Sequence, residues 1–174
     1  MSSAAGLGAD GARLRTVTVA TPIPAPAASV WDRIVTPEGI NHELAPWLRM
    51  TVPRQGGGLE LADIEPPAEL GRSWLLLLGV IPFDWDDIRI TELEPGRRFL
   101  EESTMFSMRR WEHERQVIPM GATCEIHDRV TFEPRPGIAW IPGVRTRLTR
   151  VLTRLFVHRQ QRLAAWFEDA QPPM

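Results

Sequence analysis

The sequence contains no lysine and no tyrosine, a single cysteine (Cys124) and a single asparagine (Asn41). Without lysine there is no amine to form a Schiff base, and without tyrosine no phenol to act as an acid. All 20 basic residues are therefore arginines, a uniformity read as codon bias from a GC-rich genome. One cysteine excludes an intramolecular disulfide and fits a reducing compartment. Long apolar runs are also missing. The longest, Trp74 to Phe83, is about half of what spans a bilayer, and Pro82 interrupts it. The net charge of −2 gives no general attraction to nucleic acid or acidic lipid. His42, His113, His127 and His158 lie far apart, without H-E-x-x-H or paired-cysteine spacing, so neither a metal nor another cofactor is expected. Gly56–Gly58 has no Gly-Lys-Ser/Thr after it and reads as a mobile loop over a pocket. The first twelve residues lack the charged start and apolar centre of a signal peptide. The expectations are a cytoplasmic protein, a flexible tail over 1–12, one domain over 13–170, a short tail over 171–174, and a monomer or homodimer.

Along the chain, 14–23 alternates apolar and polar residues and ends in prolines, as a strand does. Two short helices follow. Pro26 opens the first, with Val30, Trp31 and Ile34 at helical spacing, and Thr36-Pro37 caps and starts the second. From Leu48 to Pro134 the pattern is strands and turns, with strands placed at 48–53, 59–64, 71–80, 85–94, 98–107, 111–118 and 123–133. After Pro142-Gly143 the period changes. Val144, Leu148, Val151, Leu152, Leu155, Leu163, Trp166 and Phe167 form one stripe of a helix of about seven turns. This order gives an α+β fold in which a curved antiparallel sheet of about seven strands wraps a long C-terminal helix.

The sheet carries charge where a core avoids it. Period-two reading puts Leu100, Glu102, Thr104 and Phe106 on one face, with Trp111, His113, Arg115 and Val117, and with Cys124, Ile126, Asp128, Val130 and Phe132. Apolar ends and polar middles suggest a pocket with a polar floor. Pairing Phe106 with Trp111 across a turn at Met108-Arg109 sets Glu102 opposite Arg115. Pairing Val117 with Cys124 sets His113 opposite Asp128, with facing Cβ atoms about 4.5–5.5 Å apart. Three roles stay open for this group: ligand contact, a satisfied ion-pair network that serves only register, or catalysis. In the catalytic version Asp128 orients His113, the imidazole removes a proton alpha to a carbonyl, and Arg115 stabilises the oxyanion. Trp47, Trp74 and Trp111, with Leu148, Leu152 and Leu155 from the long helix, are expected to supply apolar walls. Arg147, Arg150 and Arg154 form a basic stripe on that helix, read as a solvated side.

Several segments carry a family resemblance: PAASVWDRIVTPEGIN at 26–41, ITELEPGRRF at 90–99, DRVTFEP at 128–134 and LFVHRQQRL at 155–163. Together with the element order, they resemble the START-like, helix-grip superfamily of polyketide-cyclase-like proteins, over nearly all of 13–167. The resemblance implies a cavity for an apolar or amphipathic molecule between sheet and helix. It leaves three activities to weigh: binding of a lipid, polyketide or related metabolite; cyclase or dehydratase chemistry using His113 and Asp128; and a protein-interaction module like the chaperone-activating members.

Overall fold

A computed structural model of the protein describes residues 13–53 and 64–170. The two tails, the Gly56–Gly58 loop and all but the last residue of the strand expected at 59–64 lie outside the described residues. The chain runs β1 (Arg15–Ile23), α1 (Ala27–Ile34), α2 (Pro37–Leu44), β2 (Leu48–Met50), β3 (Ala68–Leu77), β4 (Ile81–Glu94), β5 (Arg98–Met105), β6 (Met108–Met120), β7 (Thr123–Pro134), α3 (Pro136–Ala139) and α4 (Val144–Asp169). The seven strands make one antiparallel sheet in the order β1-β7-β6-β5-β4-β3-β2, curled into a half-barrel. Register shifts in the β3–β4, β4–β5 and β6–β7 ladders add bends that help the sheet close around a helix.

The helices start where their sequences direct. Thr36 Oγ1 accepts from the Gly39 N–H at 3.0 Å, with Pro37 in the first turn, which satisfies a donor that the helix cannot pair internally. Gly39 is required there, because a Cβ on it would lie 1.9 Å from the Arg33 carbonyl oxygen. The α4 helix begins directly after Gly143, which takes φ 71°, and its 26 residues make the expected seven turns. It lies against β1 and α2. Two of its side chains bind the end of α2: Arg162 donates to the His42 carbonyl at 2.9 Å, and His158 Nε2 lies 2.8 Å from the Ala45 carbonyl. The single asparagine fastens β2, with its Nδ2 donating to the Met50 carbonyl and its Oδ1 accepting from the Met50 N–H.

The strand expected at 48–53 ends at Met50, and two turns fall elsewhere than the sequence reading puts them. The β3–β4 turn falls at Leu78 and Gly79, both at positive φ (52° and 76°), a conformation glycine adopts without a steric cost. Pro82 therefore sits near the start of β4, where a missing N–H is tolerated, rather than in the gap expected between the strands at 71–80 and 85–94. The larger difference is the β5–β6 hairpin. Its turn uses Phe106-Ser107 rather than Met108-Arg109, so Ser103 faces Trp111 and Glu101 faces His113. Asp84 of β4 holds that turn, accepting from the Ser107 hydroxyl and from its N–H. The offset from the expected register is odd, so the faces of β5 reverse.

The inner face has two apolar clusters. One joins Ile23, Val30, Trp31, Ile34, Phe99, Val117, Ile126 and Leu163; the other joins Val17, Met105, Met108, Val130, Phe132, Leu152 and Phe156. Between them runs a belt of polar side chains, crossing from β7 to β4 beneath α4.

Candidate functional site

At the β7 end of the belt, Asp128 is 1% exposed and fully bonded. Its Oδ1 accepts from Arg115 Nε at 2.7 Å and lies 2.8 Å from His113 Nε2. Its Oδ2 accepts from Arg115 Nη2 at 2.9 Å and Gln160 Nε2 at 2.8 Å. Burial alone would raise this carboxyl, but Arg115 and His113 outweigh it and hold Asp128 well below the usual carboxylate range. Arg115 spans two acids, since its Nη1 also donates to both Glu43 oxygens at 2.9 Å. Glu43 accepts in addition from Arg159 Nε at 3.1 Å. Burial and the neighbouring Arg115 charge lower the Arg159 pKa, against the pull of Glu43. Two acids and two arginines balance, a condition for so many charges to remain out of water.

The β6–β7 register differs from the expected one by two residues, so faces are kept. Arg115 stands opposite Asp128, and His113 opposite Val130; His113 reaches Asp128 diagonally. The His113 ring contacts Phe99 and Phe156 edge-on, with centroids 5.5 and 5.0 Å away. Its Nδ1 lies 3.9 Å from Glu101 Oε2.

The β4 end of the belt is different in kind. Asp84, Asp86 and Ser103 are buried, and Glu101 is nearly so. Asp84 is satisfied by Ser107 and by the Trp85 N–H at 2.8 Å. Glu101 Oε1 accepts from the Ser103 hydroxyl at 2.8 Å. Asp86 Oδ1 has no hydrogen-bond partner among the described residues. Burial, reinforced by the Glu101 charge beside it, pushes the Asp86 carboxyl up to about 9.

Over this belt lies a cavity of about 930 Å³, within the range typical of small-molecule sites. Leu148, Leu152, Leu155 and Phe156 of α4 wall it on one side, and Ile88, Ile90, Phe99 and Trp111 of the sheet on the other; Ile40, Leu44 and Met50 lie beside α2 and β2. The polar side chains on its wall include Asp84, Asp86, Glu101, His113, Arg115 and Arg159. Trp47, Phe106 and Val151 line it while more than half exposed, which places them at a rim.

Of the residues singled out from sequence, Trp47, Trp111, His113, Arg115, Leu148, Leu152 and Leu155 line the cavity, and Asp128 lies beneath it, bonded to His113 and Arg115. Three do not belong there. Glu102 and Thr104 are exposed and border a groove on the other face of the sheet, because the β5–β6 turn reversed β5. Trp74 is 46% exposed and alternates away from the buried Ser73. Residues that the sequence reading passed over are Glu43, Asp84, Asp86, Glu101, Ser103, Phe156, Arg159 and Gln160. Some left a signal: Arg159 and Gln160 fall on the α4 stripe between Phe156 and Leu163, and Glu43 shares the inner face of α2 with Gly39. Among the described residues no group of side chains could hold a metal ion, and no helix is long and apolar enough to cross a membrane.

Solved structures share this architecture. Protein CV1439 from Chromobacterium violaceum superposes with a TM-score of 0.66 at 16% identity, covering 88% of this chain and 96% of that one. A START superfamily protein from Mycobacterium smegmatis gives 0.64 at 11%, covering 90% and 99%. The Zhui aromatase/cyclase from Streptomyces sp. R1128 gives 0.62 at 18%, covering 89% and 94%. At these identities the likeness is one of fold, and the fold is START-like. No curated protein matches the chain in sequence. A family model described as Domain of unknown function (DUF8410) matches residues 21–167, and the chain belongs to that family.

Proposed function

We propose that the protein binds a hydrophobic or amphipathic small molecule between the sheet and α4. The observation that carries this reading is the cavity itself, about 930 Å³ with mainly apolar walls and polar groups gathered on one wall. That is the pattern by which a site takes up apolar area while fixing orientation through a few polar contacts. A hollow of this size speaks against the protein-interaction alternative, which expects a filled interior.

A second reading, cyclase or dehydratase chemistry, is favoured by one specific feature. His113 faces the cavity with its Nε2 against Asp128, so Nδ1 is the nitrogen left to exchange a proton with a ligand. Arg115 fits the oxyanion role poorly, because four hydrogen bonds already commit it to Glu43 and Asp128. It suits a positioning clamp instead.

Native mass spectrometry of the purified protein, with mass determination of whatever is released on denaturation, tests the binding reading. The expected result is one small amphipathic molecule per chain, at reduced occupancy in His113→Ala. A bare chain that no apolar compound stabilises against heat refutes it. Turnover that vanishes in His113→Ala while binding persists favours the enzymatic reading.

A further inference from the structure

The two ends of the polar belt have opposite electrostatic character. At the β7 end Glu43 and Asp128 are matched by Arg115 and Arg159. At the β4 end Asp84, Asp86 and Glu101 bring three carboxyl groups to the cavity wall, and no arginine among the described residues pairs with them. Among the described residues Asp84 and Asp86 take part in no salt bridge, and Glu101 only in the 3.9 Å approach of His113.

Asp84 has its donors. The unsatisfied atom of the three groups is Asp86 Oδ1, on a residue only 4% exposed, on the cavity wall and without a partner among the described residues. A buried acceptor left unpaired costs free energy that a donor would recover. Asp86 keeps its proton near neutrality because of burial and the Glu101 charge beside it, and a cation set between the two carboxyls takes the place of that proton and pairs with both. Of the arginines that line the cavity, Arg115 and Arg159 are already bound to carboxylates and offer little to an anionic head, and Arg154 is an exposed residue of α4 whose charge is solvated.

We propose that the cavity selects an amphipathic molecule whose polar end is a protonated amine, held by Asp86 and Glu101 while its apolar part lies along Leu148, Leu152 and Leu155. This inference rests on the ligand-chamber reading and names the polar end of the occupant.

The test is calorimetric titration near neutral pH with three probes of equal chain length: 1-decylamine, 1-decanol and decanoate. The expected order is amine first, at least about tenfold tighter than the alcohol, as a charge-assisted hydrogen bond gives, with decanoate weakest. In Asp86→Asn and in Glu101→Gln the advantage of amine over alcohol is expected to shrink to about threefold or less. Asp87→Asn, which alters an exposed acid paired with Arg72, should leave it unchanged. An amine no tighter than the alcohol in the unmodified protein overturns the inference while leaving the chamber in place, as does an advantage that survives both substitutions. If none of the three probes binds, the inference falls together with the chamber.

Discussion

Arg115→Met removes the residue that joins the two buried acids, and its cost can be worked from the contacts. Four hydrogen bonds vanish, two to Asp128 and two to Glu43. The side chains left behind are 1% and 0% exposed, so water cannot replace what is lost. Glu43 keeps Arg159, and Asp128 keeps His113 and Gln160, but the formal balance of the cluster moves from zero to one uncompensated negative charge. Breaking a buried pair in this way costs about 3–5 kcal/mol, a large share of the roughly 5–15 kcal/mol that a folded domain has in total. Urea denaturation monitored by tryptophan fluorescence should show a lower midpoint with an unchanged slope. The cycle with Glu43→Gln adds the diagnostic: because the two residues touch, the double variant should be more stable than the sum of the singles implies, by about 1 kcal/mol or more. A loss below about 1 kcal/mol, or strictly additive effects, would refute the view that Arg115 is the clamp of this network.

The β4 end of the belt gives a pH-dependent counterpart. Asp86 titrates near 9 in the folded protein, whereas the unfolded chain releases that proton at about pH 4. Its contribution to stability is complete below the unfolded value and is lost as pH rises through the folded one. Asp86→Asn should therefore raise Tm by more at about pH 8 than at about pH 4, by differential scanning calorimetry; equal shifts at both would contradict the assignment. Asp128, held low, has the opposite dependence: its contribution is present above the unfolded value and fades on acidification, so Asp128→Asn should be most destabilising near neutrality and least in acid. At the α1–α2 junction, Gly39→Ala places a Cβ 1.9 Å from the Arg33 carbonyl oxygen. Backbone must shift, and a loss of about 1–3 kcal/mol by urea denaturation is expected, as for other overpacked positions; an unchanged midpoint would contradict it.

The elements were legible in the sequence because their signals are local. Thr36-Pro37 caps α2, Gly143 precedes α4, and alternation marks β6 and β7 without ambiguity. The inward face of those two strands was legible too, since Glu112, Glu114 and Gln116 on the other side leave little choice. The face of β5 was not. Leu100 and Phe106 on one side and Phe99 and Met105 on the other give comparable apolar patterns, and the turn that decides between them is held by Asp84, more than twenty residues earlier. Such a long-range contact leaves no mark on the hairpin itself, so period-two reading alone sets Glu102 and Thr104 inward and Glu101 and Ser103 outward. Glu43 escaped notice for a related reason: an acid on a short helix reads as solvated unless its partners, Arg115 and Arg159, are known to lie beneath it. Arg159 and Gln160 were readable from their place on the α4 stripe, where polar side chains require buried partners.

Binding of the proposed kind requires the space under α4 to receive the apolar part of a ligand. A ¹H–¹⁵N chemical-shift map of the protein titrated with 1-decanol tests this most directly. It should show saturable shifts concentrated at Trp111, at His113 and along Leu148 to Phe156, with Trp74, Glu102 and Thr104 on the opposite face unmoved. Shifts confined to that opposite face, or no saturable shift anywhere, would contradict it.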